Sequence, residues 1–274
     1  MNGNLYLVAT PIGNLEDITL RAIKTLKEAD LIAAEDTRHT LKLLNYFEIK
    51  KPLISYYKEI EKTKSNILIE KLKEGKNIAL VSDAGTPGIS DPGAEIVKNA
   101  IENNIKIVPI PGACAAINGV ISSGLDTTEF YFIGFLPVNK KEKKEKLERI
   151  KKINSTLIFY EAPHKLINTL ENIKEILGDR NIVLAREITK IHEEFLRGTV
   201  SQILEKYTEP KGEFVIIVEK SNENNEEKEI LLNLSLEEHY KYYEKQGFEK
   251  KEIIKKIAKD KNKNKNEIYQ YFIK

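Results

Sequence analysis

The chain has 274 residues, a formal net charge of +2 and one cysteine, Cys114. This length suits two medium-sized lobes with a small addition, and a single cysteine excludes an intrachain disulfide and favours a reducing, cytoplasmic location. The first residues lack a basic region followed by an apolar run, which argues against a signal peptide, and Ile107–Leu125 holds too many prolines, glycines and polar residues for a membrane span.

Short apolar runs alternate with longer amphipathic ones through the first two thirds of the chain. Thr19 is expected to cap a helix, and a later helix is expected to begin at Ser65 and to end at Gly75. This βαβα alternation predicts a mostly parallel sheet with helices on both faces, and a ligand site beyond the carboxyl ends of its strands. The predicted strands are Leu5–Ala9, Leu31–Ala34, Leu53–Tyr56, Ile78–Val81 and Ile105–Ile110.

A second α/β lobe is predicted over residues 112–220, after a first lobe over residues 1–111. Its predicted strands are Phe130–Leu136, Thr156–Tyr160, Ile182–Ala185 and Phe214–Val218, with an antiparallel ribbon at Phe195–Val200. Helices are predicted in the basic run after Leu136, at Ala162–Leu177 and at Val200–Tyr207.

The composition changes after the second lobe. The polar segment Ser221–Lys228 is typical of a linker. Residues 229–274 then show three short helical patterns, the first with a capping box at Ser235 and Glu238. This arrangement predicts a helix-turn-helix-like module.

Three turns built from glycine and proline follow predicted strands. Ala9–Leu15 presents free backbone N–H groups. Ser82–Gly93 holds three glycines, two prolines and two aspartates, and its carbonyl and carboxylate oxygens suit a cationic, amine-bearing ligand. Pro109–Ala116 has small side chains that leave room for a ligand. Cys114 within it is interpreted as a packing residue because no histidine lies near it in sequence.

Charged side chains cluster at three further strand ends. They can assist a proton transfer or hold a phosphate, or they can simply pair with one another across the lobes. The histidines elsewhere, His39, His192 and His239, have no companions at ligand-like spacing, so no metal site is predicted. The candidate catalytic residues are Glu35, Asp36, Arg38, Glu161, His164, Arg186 and Lys190.

The three turns, in this order, resemble those of the tetrapyrrole-methylase superfamily. With the run LYLVATPIGNLEDITLRA at residues 5–22 and the motifs Ala34–Arg38, Tyr160–Lys165 and Arg186–Lys190, the chain is similar to the ribosomal RNA small-subunit methyltransferase I family over residues 4–219 and the tail. The resemblance implies a two-lobed tetrapyrrole-methylase-like fold, S-adenosylmethionine as cofactor, and a homodimer. It also implies 2′-O-methylation of a cytidine in the decoding centre of 16S ribosomal RNA in the 30S subunit.

The reaction that the resemblance implies suggests a role for individual charged residues, and the resemblance itself implies the residues that line the cofactor. Glu35 or Asp36 would accept a proton or orient a base, Arg38 would bind a phosphate, and Lys190 would polarise the ribose hydroxyl. The residues implied to line the cofactor are Pro11, Asp83, Gly85, Thr86 and Ile89, then Ala113, Cys114 and Ala115 near the methionine or ribose portion, and Tyr160, Ala185 and Gly212 from the second lobe.

Two other functions remain open at this point. A precorrin-type tetrapyrrole methyltransferase would usually carry a glycine-rich G-x-G-x-G-D first loop, where this chain has T-P-I-G-N-L. A non-catalytic RNA-binding protein would not need the Ser82–Gly93 turn.

Two basic segments, Val138–Lys152 and Ser235–Lys274, can contact RNA phosphates or form solvated faces. In the tail, Tyr269 or Tyr271 is expected to stack a base, with at least one of them packed in a core. The tail lysines expected to contact RNA are Lys250, Lys251, Lys255, Lys256, Lys259, Lys261, Lys263 and Lys265.

Overall fold

The structure is a computed structural model that describes residues 1–221 and 231–272, and these residues form two compact units. The first unit comprises Met1–Glu148 and Thr156–Glu219 and contains both sheets. The second comprises Arg149–Ser155 and the described residues from Lys220 onward. Most of the predicted linker, residues 222–228, lies outside the described residues, as do residues 229, 230, 273 and 274 of the predicted tail module.

The first lobe is a five-stranded parallel sheet, as predicted. Short, largely apolar strands that are covered on both faces favour parallel pairing, and a separate buried cluster packs against each face. The order is β3-β2-β4-β1-β5. The strands are β1 (Leu5–Val8), β2 (Leu31–Ala34), β3 (Leu53–Ser55), β4 (Ile78–Val81) and β5 (Ile107–Ile110).

The helices of the first lobe are α1 (Leu20–Glu28), α2 (Thr37–Tyr46), α3 (Glu61–Lys73) and α4 (Ala94–Glu102). Thr19 caps α1 as predicted, since its side chain accepts a hydrogen bond from Ala22 N. The prediction that Ser65 begins a helix is wrong, because α3 begins at Glu61 after a short 3-10 turn. Ser65 is buried instead, with its Oγ 2.9 Å from the Tyr56 hydroxyl.

The second lobe is a five-stranded mixed sheet in the order β6-β7-β10-β8-β9. β6 runs parallel to β7, and the remaining pairings are antiparallel. The edge strand β9 confirms the predicted antiparallel ribbon. The strands are β6 (Phe130–Phe135), β7 (Thr156–Glu161), β8 (Asn181–Arg186), β9 (Glu194–Thr199) and β10 (Phe214–Val218), and the helices are α5 (Ala115–Ser123), α6 (Lys140–Ile150), α7 (Pro163–Leu177) and α8 (Val200–Lys206).

Three helices follow Ser235 in the second unit: α9 (Leu236–Lys245), α10 (Lys250–Asp260) and α11 (Lys265–Tyr271). The capping box at Ser235 and Glu238 is confirmed. The expectation that Tyr269 or Tyr271 packs in a core is wrong, because both are exposed. The helix turns Ile268 and Phe272 inward instead, one turn apart.

Across the described residues, no helix combines the length and the apolar character needed to cross a membrane.

Candidate active site

A cavity of about 480 Å³ lies in the first unit, where loops at the carboxyl ends of the parallel strands face the second sheet. Its size is within the range typical of small-molecule sites. The first lobe contributes Ile12, Ala84, Gly85, Thr86, Ile89, Ser90 and Asp91, and the start of α5 contributes Cys114 and Ala115. The second lobe contributes Phe135, Tyr160–His164, Ala185, Glu187, Ile188, Lys190 and Glu213–Val215.

The three predicted turns form one continuous wall of this cavity. Thr10 N donates to Gly85 O at 2.9 Å, and Gly85 N donates to Thr10 O at 3.1 Å. Thr86 Oγ1 donates to Ala113 O at 3.2 Å and so links the second turn to the third. Gly85 has φ +82°, and a Cβ there would lie 3.2 Å from Ile12 Cγ2. A glycine is therefore needed where the first two turns meet.

The long second turn is held by Glu61, a residue that the sequence patterns did not single out. Its Oε1 accepts hydrogen bonds from Gly93 N at 2.8 Å and from Glu95 N at 3.2 Å. The Tyr56 hydroxyl donates to the same oxygen at 3.1 Å. A carboxylate at the amino end of α4 is favoured by the free N–H groups and the helix dipole there. Glu61 therefore fixes the end of the Ser82–Gly93 turn.

Acidic side chains gather beyond β2 and β4. Burial, with a further contribution from the negative charge of Asp83, raises the pKa of Asp91 to about 6, although a hydrogen bond from Ser82 opposes the shift. Burial and the charges of Asp91 and Asp83 also raise the pKa of Glu35. Asp91 lines the cavity, and Asp83 accepts a hydrogen bond from Asp36 N at 2.9 Å. This edge of the cavity is therefore suited to a cation.

We expect Asp91→Asn to stabilise the ligand-free protein at pH 8. The folded-state pKa of about 6 lies above the ordinary value of 3.8, so ionisation of Asp91 opposes folding above pH 6. Allowing for partial exposure, the gain in the free energy of unfolding is about 1–2 kcal/mol. It should shrink as the pH falls below 6 and vanish below the ordinary pKa of 3.8, where the carboxyl is protonated in both states. Urea denaturation at several pH values measures it, with the exposed Glu28→Gln as control. An equal gain at pH 4 and pH 8 would contradict the prediction.

Tyr160 joins the second sheet to the start of α5. Its hydroxyl accepts a hydrogen bond from Ala116 N at 3.1 Å, and burial raises the pKa of the phenol. Cys114 is half-buried, lines the cavity and packs against the same apolar cluster as Tyr160. The third turn is therefore anchored to both lobes.

Glu161 is buried, with 5% of its surface exposed. Its Oε1 accepts from Ala162 N at 2.9 Å, and its Oε2 accepts from Thr169 Oγ1 at 2.6 Å. His164 is exposed at the rim of the cavity, in the first turn of α7. The engaged carboxylate favours a structural role for Glu161 at the start of α7, and His164 remains accessible to a ligand.

Lys190 reaches from the second lobe to the first turn. Its Nζ lies 3.0 Å from Glu187 Oε1 and 2.8 Å from Glu213 Oε2. Burial opposes the charge, but these two carboxylates outweigh it and raise the pKa of Lys190. A Cβ at Gly13 would lie 2.4 Å from Lys190 Cγ, so the lysine stem occupies the place of a side chain at position 13. Lys190 therefore presents a permanent ammonium group to the cavity.

The loop that carries Lys190 is strained. Glu187 and Thr189 have φ values of +49° and +69°, which are unfavourable for residues other than glycine. Glu187 Oε1 accepts from Glu213 N at 2.8 Å, and Thr189 Oγ1 donates to Asp17 in the first lobe. Gly212 leaves the space that the Glu187 side chain occupies, because a Cβ at position 212 would lie 2.6 Å from Glu187 Cγ. These contacts hold an otherwise costly conformation.

The other predicted catalytic side chains, Glu35, Asp36, Arg38 and Arg186, do not line the cavity, and the last three are engaged by local partners. Arg38 donates two side-chain hydrogen bonds to Asp36, from Nη2 to Oδ2 at 2.8 Å and from Nε to Oδ1 at 3.2 Å. The hydrogen bonds from Arg38 lower the pKa of Asp36 to about 2. Asp36 also caps α2. Arg186 donates through Nε to Lys211 O at 2.7 Å. Of the seven predicted residues, Glu161, His164 and Lys190 line the cavity, and Glu35, Asp36, Arg38 and Arg186 do not.

The predicted cofactor residues divide in a similar way. Gly85, Thr86, Ile89, Cys114, Ala115, Tyr160 and Ala185 line the cavity, whereas Pro11, Asp83, Ala113 and Gly212 lie in the loops that form it. Sequence reasoning did not select Asp91, Phe135 or Glu213. Asp91 belongs to the predicted second turn, so its position was within reach of the sequence pattern. Within residues 1–221 and 231–272, no group of three or more His, Cys, Asp or Glu side chains is placed to hold a metal ion.

Comparison with known proteins gives consistent results. A family model described as Tetrapyrrole (Corrin/Porphyrin) Methylases matches residues 4–204. The chain is 52% identical to "Ribosomal RNA small subunit methyltransferase I" of Halalkalibacterium halodurans, over 98% of this chain and 94% of the relative. It is 53% identical to the protein of that name from Bacillus subtilis, over 99% and 95%.

Solved structures share the fold at low sequence identity. A diphthine synthase has a TM-score of 0.62 at 17% identity, covering 80% of this chain and 90% of that one. A uroporphyrin-III C-methyltransferase from Thermus thermophilus, solved with S-adenosylhomocysteine, has a TM-score of 0.57 at 16% identity, covering 79% and 97%.

Proposed function

The chain belongs to the ribosomal RNA small subunit methyltransferase I family of tetrapyrrole methylases, and from this we propose that it methylates the 2′-hydroxyl of a cytidine in the decoding centre of 16S ribosomal RNA, with S-adenosylmethionine as donor. The observation that carries the proposal is the identity of 52–53% over nearly the whole chain to relatives named as methyltransferases of small-subunit ribosomal RNA; the cytidine and its 2′-hydroxyl come from the family resemblance. The similarity continues past residue 204, where the methylase model ends, into the tail.

The residues of the cavity suit S-adenosylmethionine, which carries a sulfonium, an amine and an adenine. The cavity has a volume of about 480 Å³, and its small residues, such as Gly85 and Ala115, leave room for a ligand of this size. The Asp91 carboxylate favours binding of the positively charged sulfonium and amine groups. We assign the direct contacts to Gly85, Thr86, Ile89, Cys114, Ala115, Tyr160 and Ala185, with Pro11, Asp83, Ala113 and Gly212 supporting them.

Bound S-adenosylmethionine supplies an electrophilic methyl group to the reaction. The protein must then hold a ribose hydroxyl in line with that group and ease the loss of its proton. Lys190 fits this role, because its ammonium is fixed between two carboxylates and can stabilise negative charge that develops on the 2′-oxygen. Since its pKa is raised, Lys190 acts through its charge and not by accepting the proton.

The tail offers a surface for RNA on α10. Lys251, Lys255 and Lys259 are exposed and lie four residues apart, so they form a stripe along one face of the helix. Lys256 and Lys261 are engaged within the tail: Lys256 Nζ lies 4.2 Å from the ring centroid of Phe248, and Lys261 Nζ donates to two backbone carbonyls. The lysine stripe, and not the whole set of tail lysines, is therefore our proposed phosphate contact.

Three further elements of the proposal come from the family resemblance: the 30S subunit as the physical substrate, a homodimer, and a cytoplasmic location. The tetrapyrrole alternative has support from the description of the matching family model and from the fold, but the uroporphyrin-III and precorrin-4 methyltransferases that share the fold are only 16–19% identical to the chain. A purely RNA-binding protein would leave the cavity of about 480 Å³ without a use.

The decisive experiment is methyl transfer from labelled S-adenosylmethionine to 30S subunits that lack the modification, beside naked 16S ribosomal RNA. We expect label on the 2′-oxygen of a cytidine in the decoding centre. A product on a base nitrogen, or transfer to neither substrate, would refute the proposed function.

A further inference from the structure

Strand β6 contains an irregularity beside the cavity. Phe132 pairs with Ile158 of β7, but the next pairs are Gly134 with Phe159 and Phe135 with Tyr160, so one residue is extra. Gly134 has φ +69°, and a Cβ there would lie 2.9 Å from Ser90 Oγ. Only glycine meets both demands without a shift of its neighbours. The local sequence therefore favours the bulge. Bulges are common beside active sites, where they redirect a side chain.

The bulge decides which side chain faces the cavity. In a regular strand, alternation from Phe132 would place Gly134 opposite Tyr160. The extra residue places Phe135 there instead. The Phe135 ring lies 5.6 Å from the ring of Tyr160, lines the cavity and is 54% exposed. An aromatic ring redirected to the rim of a cavity and left half in water is available to a ligand.

Positive charge follows Phe135 closely in the chain. Helix α6 begins at Lys140, and Lys140, Lys141 and Lys144 are exposed in its first two turns. Lys141 and Lys144 form exposed ion pairs with glutamates at 3.9 and 2.7 Å, contacts that are weak in water and are readily exchanged for phosphate. An exposed aromatic residue with lysines a few positions further along the chain matches the combination of stacking surface and basic groups by which proteins bind unpaired nucleotides.

We infer that Phe135 is a stacking platform for the base of the nucleotide whose ribose enters the cavity, and that the first lysines of α6 contact the flanking phosphates. The inference rests on the proposed function and names the part of the RNA that this rim recognises. The adenine of S-adenosylmethionine also has an aromatic face. The lysines of α6 favour the RNA base over adenine as the group that stacks on Phe135, because S-adenosylmethionine carries no phosphate for them to bind.

The test compares Phe135→Ala, Phe135→Leu and Phe135→Tyr, with Tyr131→Ala as the matched control. Tyr131 lies on the same strand and is 47% exposed, but it does not line the cavity. The measurements are KM and kcat with 30S subunits that lack the modification, and the Kd of S-adenosylmethionine. We expect Phe135→Ala and Phe135→Leu to raise KM about 5- to 150-fold, the range found for loss of one stacked base. Phe135→Tyr should retain wild-type KM, Tyr131→Ala should have no effect, and the cofactor Kd should stay within about twofold in every variant.

Two outcomes would overturn the inference while the proposed function stands. A weaker cofactor Kd with unchanged KM for the subunit would assign the ring to adenine. Unchanged values in both assays, with an active wild-type enzyme, would show that Phe135 has no role in binding. If the wild-type protein transfers no methyl group to RNA, the proposed function fails, and the stacking role fails with it. Thermal unfolding of Phe135→Leu, which keeps apolar bulk without an aromatic face, separates loss of stacking from loss of folding.

Discussion

Replacing Lys190 by methionine is expected to lower kcat for methyl transfer by about 10²–10³-fold, the usual cost of removing one donor that stabilises a developing oxyanion. Methionine preserves an unbranched stem against Gly13 and removes the charge that lies between Glu187 and Glu213. The residues that we assign to the cofactor are unchanged in this variant. Its Kd for S-adenosylmethionine should therefore stay close to that of the wild type. Single-turnover transfer to 30S subunits, with calorimetry for the cofactor, measures the two effects separately.

Two variants control this experiment. Lys190→Arg keeps the charge and should retain part of the rate. Lys165→Met removes a half-buried lysine that does not line the cavity and should leave the rate unchanged. An unaltered kcat in Lys190→Met would remove Lys190 from the mechanism, and a large rise in the cofactor Kd at constant kcat would reassign it to cofactor binding.

Replacing the lysine stripe, Lys251, Lys255 and Lys259, by glutamine is expected to weaken RNA binding about 10²-fold at 0.1 M salt. Each phosphate contact with a single strand contributes about 0.7 to the slope of log affinity against log salt, so three contacts contribute about 2. The slope should fall by that amount, while the Kd of S-adenosylmethionine stays unchanged. Filter binding to 16S ribosomal RNA between 50 and 400 mM salt (roughly the range in which such slopes are measured) tests it.

Lysines elsewhere provide the comparison for this salt series. A triple glutamine variant of Lys24, Lys27 and Lys98, exposed on α1 and α4, carries the same change in net charge and should keep the wild-type slope. Lys256→Gln should destabilise the tail, since it loses contacts with the rings of Phe248 and Tyr243, and should leave the slope nearly intact. If the stripe variant and the α1 and α4 variant give equal slopes, the stripe has no specific role in RNA binding.

The strands of the first lobe could be predicted closely because each is a short apolar run between polar or glycine-containing turns. Ile78–Val81 and Leu31–Ala34 were placed at their observed bounds. Helix α2 was not predicted, although Asp36 is its cap, because the motif that contains Asp36 drew attention as charge and not as a helix start. The antiparallel pairing of β10 could not be predicted, since it depends on contacts distant in sequence.

The location of the cavity was easier to predict than the state of its side chains. Glycine and proline spacing indicated the loops, because few other residues allow such turns. Nothing in the spacing of Arg38 shows that it folds back on Asp36, or that Arg186 is held by a carbonyl of residue 211. Phe135 escaped sequence reasoning because a regular alternation places glycine at that point, and the bulge becomes visible only in the pairing of the strands.

The fit between Gly13 and the stem of Lys190 has a consequence for the natural variation of this protein. The two positions belong to different lobes, yet a methyl group at position 13 and a full lysine at position 190 would require the same space. Homologues that gain a side chain in the first turn should therefore have a shorter residue at position 190 or a displaced loop. The pair should change together through evolution, and a search for correlated substitutions can reveal whether it does.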